Sequence, residues 1–113
     1  MGVDATGVKL PAIPDLIKPY GMESALISAG DITDATPAAF YGHQPERSLQ
    51  AGIAKDFLDS PVSIMIGGGA KHFYNRKDSL PLMDRLAKKG YFVSRHFSDI
   101  DNMRTRKWLL LDD

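Results

Sequence analysis

The sequence predicts an α/β fold with an open, mostly parallel sheet and flanking helices. Short apolar segments of β type alternate along the chain with amphipathic helical patterns, which is typical of this class. One segment, VSIMIGGG, is almost continuously apolar, as expected for a strand buried on both faces of a parallel sheet. The length of 113 residues is near the commonest domain size, so we expect residues 1–113 to form a single domain.

The first half of the chain contains the patterns of a short helix, a strand and a longer helix. PAIPDLIKPYG predicts a helix with Pro14 in its first turn and Gly21 as its end. SALISAG predicts a strand of small residues. From Pro45 to Ser60 the sequence predicts an amphipathic helix. The apolar residues that recur there every four positions are Leu49, Ile53 and Phe57.

The second half predicts three strands and one helix. The strand Val62 to Ile66 is expected near the centre of the sheet, and YFVSRHF and KWLLLDD predict two more strands. LPLMDRLAKKG predicts a helix that has Ser79 as its N-cap and ends at Gly90. Its shared apolar face consists of Leu80, Met83, Leu86 and Ala87.

Charge and cysteine content exclude several classes of function. The chain has 14 Lys and Arg residues and 14 Asp and Glu residues. Its net charge therefore provides no electrostatic attraction to nucleic acid or to an anionic membrane. The absence of cysteine excludes disulfides, thiolate catalysis and cysteine-based zinc sites. No apolar run approaches the ~20 residues that span a bilayer. The N-terminus, MGVDATGVKLP, lacks the pattern of a signal peptide.

The segment ITDATPAAFYGHQPER concentrates chemically useful side chains. Because Pro37 disfavours the helical region for the residue before it, Thr36 is expected to be extended, with Asp34 pointing to the same side. A carboxylate and a hydroxyl suit magnesium, and the planar guanidinium of Arg47 suits a phosphate group. Alternatively, Thr36 is an ordinary N-cap followed by a proline, and Arg47 is a surface residue in the first turn of the next helix. By spacing alone, the helix cap is the commoner case.

Other polar groups give weaker signals. GGGAKH follows a strand but lacks the P-loop pattern, so it predicts a tight turn and not a nucleotide site. The three histidines lie too far apart for a helix-borne metal pair, and we assign none of them to metal. Asp112 and Asp113 are either metal ligands at a strand end or solvent-facing acids, and the second interpretation is favoured.

Three collinear blocks resemble the alkaline phosphatase family. TDATPAAFYGHQPER is similar to the family's Asp-Ala-Thr-Pro or His-Ala-Thr-Pro segment with its following histidine and arginine. GVDATGVKLPAIPDLIKPYGM resembles the stretch after the catalytic serine region, and AKDFLDSPVSIMIGGGAKHF resembles a helix, strand and triple-glycine turn. The likeness is strong from Gly2 to Phe73 and weaker through Leu111. It implies a partial core of the alkaline phosphatase fold.

The resemblance also implies roles for three residues. Asp34 and Thr36 would belong to a magnesium site, and Arg47 would bind the phosphate group of a phosphomonoester. The family's Asp-Ser-Ala nucleophile motif and its zinc-ligand motifs do not occur in this sequence. We therefore expect a fragment of a larger, zinc- and magnesium-dependent alkaline phosphatase that is periplasmic or extracellular, and we expect this chain alone to be inactive and to hold no metal tightly.

Two further expectations concern partners. The remainder of the larger chain would be one partner, and an exposed sheet edge or apolar patch would favour a homodimer. The alternative from another class is a small, self-sufficient α/β module that holds an anion with Arg47 and nearby backbone amides, without enzymatic activity.

Overall fold

A four-stranded parallel sheet organises the chain. The computed structural model describes residues 1–102 and 104–112, so Asp113 lies outside the described residues. The strands are β1 (Ala25–Asp31), β2 (Ile64–Gly68), β3 (Phe92–Ser94) and β4 (Trp108–Leu111). They pair in the order β1-β2-β4-β3, and every pairing is parallel. The predicted open parallel sheet is confirmed, and β2 takes the predicted internal position.

Short helices connect the strands. They are α1 (Ile13–Ile17), α2 (Ala35–Ala38), α3 (Gln50–Asp56), α4 (Lys71–Tyr74) and α5 (Leu82–Lys88). Three 3₁₀ segments accompany them: Lys18–Tyr20, Phe57–Asp59 and Phe97–Asn102. In the described ranges, no helix has the length and apolar character that crossing a membrane requires.

One face of the sheet packs against the helices and forms the core. Leu26, Met65, Leu109 and Val93 lie in register across the four strands. Met65 and Leu109 are completely buried among apolar side chains of the flanking helices. The helix residues that contribute most to this core are Ile53, Phe57, Phe73, Leu82 and Leu86.

Two tyrosines connect this core to the ends of strands. The ring of Phe57 lies 5.7 Å from that of Tyr41 and 5.1 Å from that of Tyr91. Tyr41 donates a hydrogen bond of 2.8 Å from its hydroxyl to the carbonyl oxygen of Ile32, directly after β1. Because both phenols are buried, the pKa of Tyr41 is raised, and that of Tyr91 is raised to about 12. Both are therefore neutral hydrogen-bond donors.

Several predicted helix details were wrong. The helix expected from Pro45 to Ser60 begins only at Gln50, because the preceding residues form a loop. Ser79 is not an N-cap: its φ is 58°, and α5 begins after Pro81. The start at Ser79 was predicted from a capping pattern and the start at Pro45 from apolar periodicity, and neither signal fixes the first residue of a helix.

The predicted buried faces also need correction. Leu82 takes the buried position on α5 that was expected of Ala87, which is exposed. Leu49 was predicted on the apolar face of the helix expected from Pro45 to Ser60, but it is 42% exposed. The end of the first helical segment was predicted correctly, since Gly21 has a φ of 76° at its C-terminus.

Candidate functional site

The carboxyl edge of the sheet brings three strand exits together. Ile32 donates its backbone N–H to the carbonyl oxygen of Gly68 at 3.2 Å, which continues the pairing beyond β1. Asp112 donates to Gly67 at 2.8 Å, and its own carbonyl accepts from Ala70 at 3.1 Å. Since ligands in open α/β sheets bind outside the carboxyl ends of the strands, this edge is the candidate site.

The triple glycine accommodates the exit of β1. An added Cβ at Gly67 would overlap Cγ2 of Ile32, and one at Gly68 would lie 3.1 Å from Asp31 Oδ1. Gly69 has a φ of 86°, and an added Cβ there would lie 3.1 Å from Cγ of Asp31. The glycines therefore make space for Asp31 and Ile32 in a tight turn, which agrees with the predicted turn.

Asp34 lies at the start of α2, just beyond β1. Its backbone N–H donates to the Asp31 carbonyl at 3.0 Å, and its own carbonyl accepts the helix bond from Ala38 at 2.9 Å. Although Asp34 is the N-cap residue, its carboxylate caps no backbone N–H. Oδ1 accepts a hydrogen bond of 3.3 Å from Gln50 Nε2. The other carboxylate oxygen, Oδ2, lies close to Gly30. A Cβ atom added to Gly30 would be 3.1 Å from Oδ2.

Both interpretations of the Thr36 backbone were wrong. Thr36 is neither extended nor an N-cap, because α2 starts at Ala35 and includes it. Pro37 then occupies the third helical position, where its missing N–H removes no intrahelical bond. The Thr36 side chain is exposed. Asp34 is therefore the N-cap residue of α2, and Thr36 lies in the first turn of the same short helix.

Arg47 lies in the loop before α3, not within the helix. It is exposed, and no carboxylate in the described ranges forms an ion pair with it. Gln50, three residues later, makes the contact to Asp34, so the start of α3 is joined to the exit of β1. The guanidinium is thus charged and available to an anion.

Asp56 holds the loop that leads to Arg47. One of its carboxylate oxygens accepts hydrogen bonds from the His43 backbone N–H at 2.7 Å and from Gln44 Nε2 at 3.0 Å. The Nδ1 atom of His43 lies 2.9 Å from the carbonyl oxygen of Gly2. These contacts give His43 a structural role.

Sequence reasoning missed the pairing of Asp31 with His72. The imidazole Nε2 lies 3.6 Å from Asp31 Oδ2, longer than an ordinary hydrogen bond. Nε2 is buried, and it has no hydrogen-bond partner within the described part of the chain. Burial lowers the pKa of His72, and the Asp31 carboxylate opposes this shift. The available signal was that Asp31 ends one strand and His72 follows the adjacent parallel strand, both at the carboxyl edge.

The described residues include oxygen donors near the exit of β1 but no cluster of metal ligands. Among residues 1–102 and 104–112, no group of three or more histidine and acidic side chains could hold a metal ion. The unpaired Oδ2 of Asp34 beside Gly30 and the exposed hydroxyl of Thr36 are oxygen donors, the type that magnesium prefers. This chemistry fits a partial magnesium site.

Comparison with known proteins gives consistent matches. The alkaline phosphatase family profile matches residues 1–95. Alkaline phosphatase 4 of Bacillus subtilis (strain 168) is 32% identical over 97 residues, which are 80% of this chain and 21% of that protein. The chain thus spans about a fifth of this relative.

Solved structures agree with this likeness. The alkaline phosphatase from the Antarctic bacterium TAB5 superposes with a TM-score of 0.89 at 28% identity, over 99% of this chain and 34% of that one. A mutant of the same enzyme, with a histidine replaced by aspartate and magnesium bound, superposes with a TM-score of 0.86 at 29% identity. This superposition covers 100% of the present chain and 34% of the mutant chain.

Proposed function

Because the chain belongs to the alkaline phosphatase family, we propose that it is part of a metal-dependent phosphomonoesterase. In this proposal Asp34 and Thr36 contribute to a magnesium site, and Arg47 binds the phosphate group. The observation that carries it is the position of Asp34 at the carboxyl edge of the sheet, with Oδ2 beside Gly30 and Oδ1 joined to Gln50.

Asp34 and Thr36 would supply two oxygen ligands to magnesium. Water and groups outside residues 1–113 would complete the octahedral shell, because two ligands cannot fill it. When bound, the ion supplies positive charge that stabilises negative charge developing at the reacting phosphate. The Gln50 amide holds one oxygen of Asp34 and leaves the other for the ion.

Arg47 would orient the phosphate group. Its guanidinium carries a permanent charge, and its two parallel N–H donors match two phosphate oxygens. It is exposed, and no carboxylate in the described ranges pairs with it, so substrate binding breaks no existing ion pair. The nucleophile and the zinc pair would come from outside residues 1–113.

The domain organisation and the location are parts of the same proposal. Residues 1–113 would form one domain within a longer chain. The one buried cluster found among the described residues supports a single domain, and the matched share of the relatives supports a longer chain. The longer protein would be periplasmic or extracellular, on the grounds of its family. Alkaline phosphatase activity confined to the cytoplasmic fraction of the source cells would contradict that location.

The first experiment assays the 113-residue chain alone. With p-nitrophenyl phosphate, zinc and magnesium, we expect no hydrolysis above background, because neither nucleophile nor zinc pair is present. Calorimetry should show no tight magnesium binding. Turnover that copurifies with the chain and disappears on substitution of one of its serines would contradict the proposal.

The second experiment uses a chimera, defined as the TAB5 alkaline phosphatase with its matching segment replaced by residues 1–113. Asp34→Ala and Thr36→Val should each raise the magnesium concentration needed for half-maximal activity by at least about tenfold, because losing even a group that only orients a metal ligand typically weakens metal binding by about 10- to 100-fold. Ser48→Ala, at an exposed loop residue near Arg47, is the control and should leave it unchanged. Equal magnesium dependence in all four proteins would contradict the proposed site. Should the chimera be inactive, magnesium binding to the same four proteins decides by calorimetry.

A further inference from the structure

A cavity of about 400 Å³ lies between the start of α3 and the segment formed by α4 and the loop after it. This volume is within the range of small-molecule sites. One wall comes from α3, and the other comes from α4 and its loop. The lining residues on which the argument depends are Ala51, Lys71, His72, Asn75, Arg76 and Lys77.

Arg76 holds the two walls together. Its side chain is only 3% exposed, and Nη1 donates hydrogen bonds to the carbonyl oxygens of Ala51 at 2.7 Å and of His72 at 3.0 Å. Nε and Nη2 donate to the two carboxylate oxygens of Asp78, at 3.1 and 2.7 Å. Asp78 also lines the cavity, so it compensates the charge of the guanidinium there. The shape of the cavity is therefore set by a buried and fully paired group.

Two positive charges in the cavity stay uncompensated. Lys71 and Lys77 are exposed, and within residues 1–102 and 104–112 no carboxylate forms an ion pair with either. Burial lowers the pKa of His72, so its imidazole is neutral at pH 7. The exposed amide of Asn75 adds two N–H donors. Two ammonium groups and an amide are the chemistry that binds an anionic group such as a carboxylate or a phosphate.

The cavity is next to the proposed phosphate and magnesium site. Ala51 directly follows Gln50, whose side-chain amide binds Asp34. Burial lowers the pKa of His72 and the Asp34 charge is among those that oppose this shift, so Asp34 is near the same imidazole. Arg47 precedes Ala51 by four residues, and their Cα atoms are therefore at most about 14 Å apart. One substrate molecule can thus contact the Arg47 guanidinium and the cavity together.

We propose that this cavity is a subsite for a second anionic group of the substrate, so that phosphomonoesters with a negatively charged alcohol part are preferred. The proposal rests on the proposed function, since Arg47 would bind the phosphate group while Lys71 and Lys77 bind the other anion. These lysines act on binding and not on the bond that is cleaved. Their effect should therefore depend on the charge of the alcohol part alone.

The first test titrates the 113-residue chain with two ligands that differ in one group. 3-Phosphoglycerate has a carboxylate where glycerol 3-phosphate has a hydroxymethyl group. At low ionic strength, amide NMR shifts should give a dissociation constant at least about threefold lower for 3-phosphoglycerate, because exposed charge pairs each contribute modestly. The preference should disappear in the double variant Lys71→Ala/Lys77→Ala. Lys88→Ala, which removes an exposed lysine of α5, is the control and should keep the preference.

The second test uses both compounds as substrates of the chimera. The double variant should lower kcat/KM for 3-phosphoglycerate by at least about threefold and leave kcat/KM for glycerol 3-phosphate unchanged. Release of inorganic phosphate measures both. If the chimera is inactive, the titrations of the 113-residue chain decide.

Three results would overturn the proposal. They are equal dissociation constants for the two ligands, a double variant that weakens both ligands by the same factor, and no shift of the amides from Lys71 to Asp78 on addition of 3-phosphoglycerate. Arg47→Ala separates this proposal from the proposed function, because it should weaken both ligands equally. If it weakens neither, the assignment of Arg47 fails, whereas loss of the preference in the lysine variant still assigns the cavity.

Discussion

Gln50 Nε2 donates a hydrogen bond of 3.3 Å to Asp34 Oδ1, and this contact joins the exit of β1 to the first residue of α3. It fixes one carboxylate oxygen of the proposed magnesium ligand. It also connects that ligand to the loop that carries Arg47. Two segments that are separated in sequence thus meet at the carboxyl edge of the sheet.

The first prediction concerns this contact. Gln50→Ala should lower the free energy of unfolding of the 113-residue chain by less than about 1 kcal/mol, because the bond is exposed. In the chimera it should raise the magnesium concentration for half-maximal activity several-fold, because the Asp34 carboxylate loses its orientation. Ser48→Ala, two residues earlier, serves as the control. An unchanged magnesium dependence would show that Gln50 does not position the ligand.

The second prediction compares two glycines. Gly67→Ala should lower the free energy of unfolding by about 1–3 kcal/mol, because the new Cβ would overlap the buried Ile32. Gly30→Ala should be near neutral for stability, since its only close neighbour is an oxygen of the exposed Asp34. Urea unfolding of both variants measures the difference. Equal stabilities would contradict the packing described for the triple-glycine turn.

The third prediction concerns pH. Burial lowers the pKa of His72 in the folded chain, with Asp31 and Asp34 opposing the shift and Lys71 adding to it. Protonation below the unfolded pKa of about 6.5 therefore favours the unfolded state, so stability falls as pH decreases from about 7 to about 5. His72→Gln should show a smaller loss over this range in urea titrations.

The control for this prediction removes an exposed histidine. His96→Gln should lose stability with falling pH as the unmodified chain does, since His96 is exposed. If His72→Gln has the same pH dependence as the unmodified chain, burial of the imidazole does not contribute to it.

The sequence predicted the sheet better than the starts of helices. Apolar runs such as Ile64 to Ile66 and Trp108 to Leu111 could be recognised as strands because short, continuous apolar segments are typical of strands inside a parallel sheet. The start of α2 could not be predicted, because Thr36 and Pro37 form a local capping pattern, whereas the folded chain begins its helix at Ala35. Such a pattern is compatible with more than one first residue of the helix. In the folded chain the residues on either side of α2 are joined by the buried hydrogen bond from the Tyr41 hydroxyl to the Ile32 carbonyl oxygen, a contact that the local pattern does not contain.

The site was predictable only in part. Asp34, Thr36 and Arg47 could be proposed because their order in sequence resembles a family motif. The Asp31–His72 pair and the Gln50–Asp34 bond each depend on segments that approach only after the parallel strands pair. No spacing within one segment signals such contacts.

The most direct test of the proposed function is the kinetics of Arg47→Ala in the chimera. The account predicts a higher KM and a lower kcat for p-nitrophenyl phosphate, with kcat/KM reduced by at least about tenfold, because the guanidinium binds the phosphate group in both the substrate and the transition state. The matched control is Arg106→Ala, which removes an exposed arginine in the loop before β4, and it should retain full activity. An Arg47→Ala enzyme with unchanged kcat and KM would contradict the account.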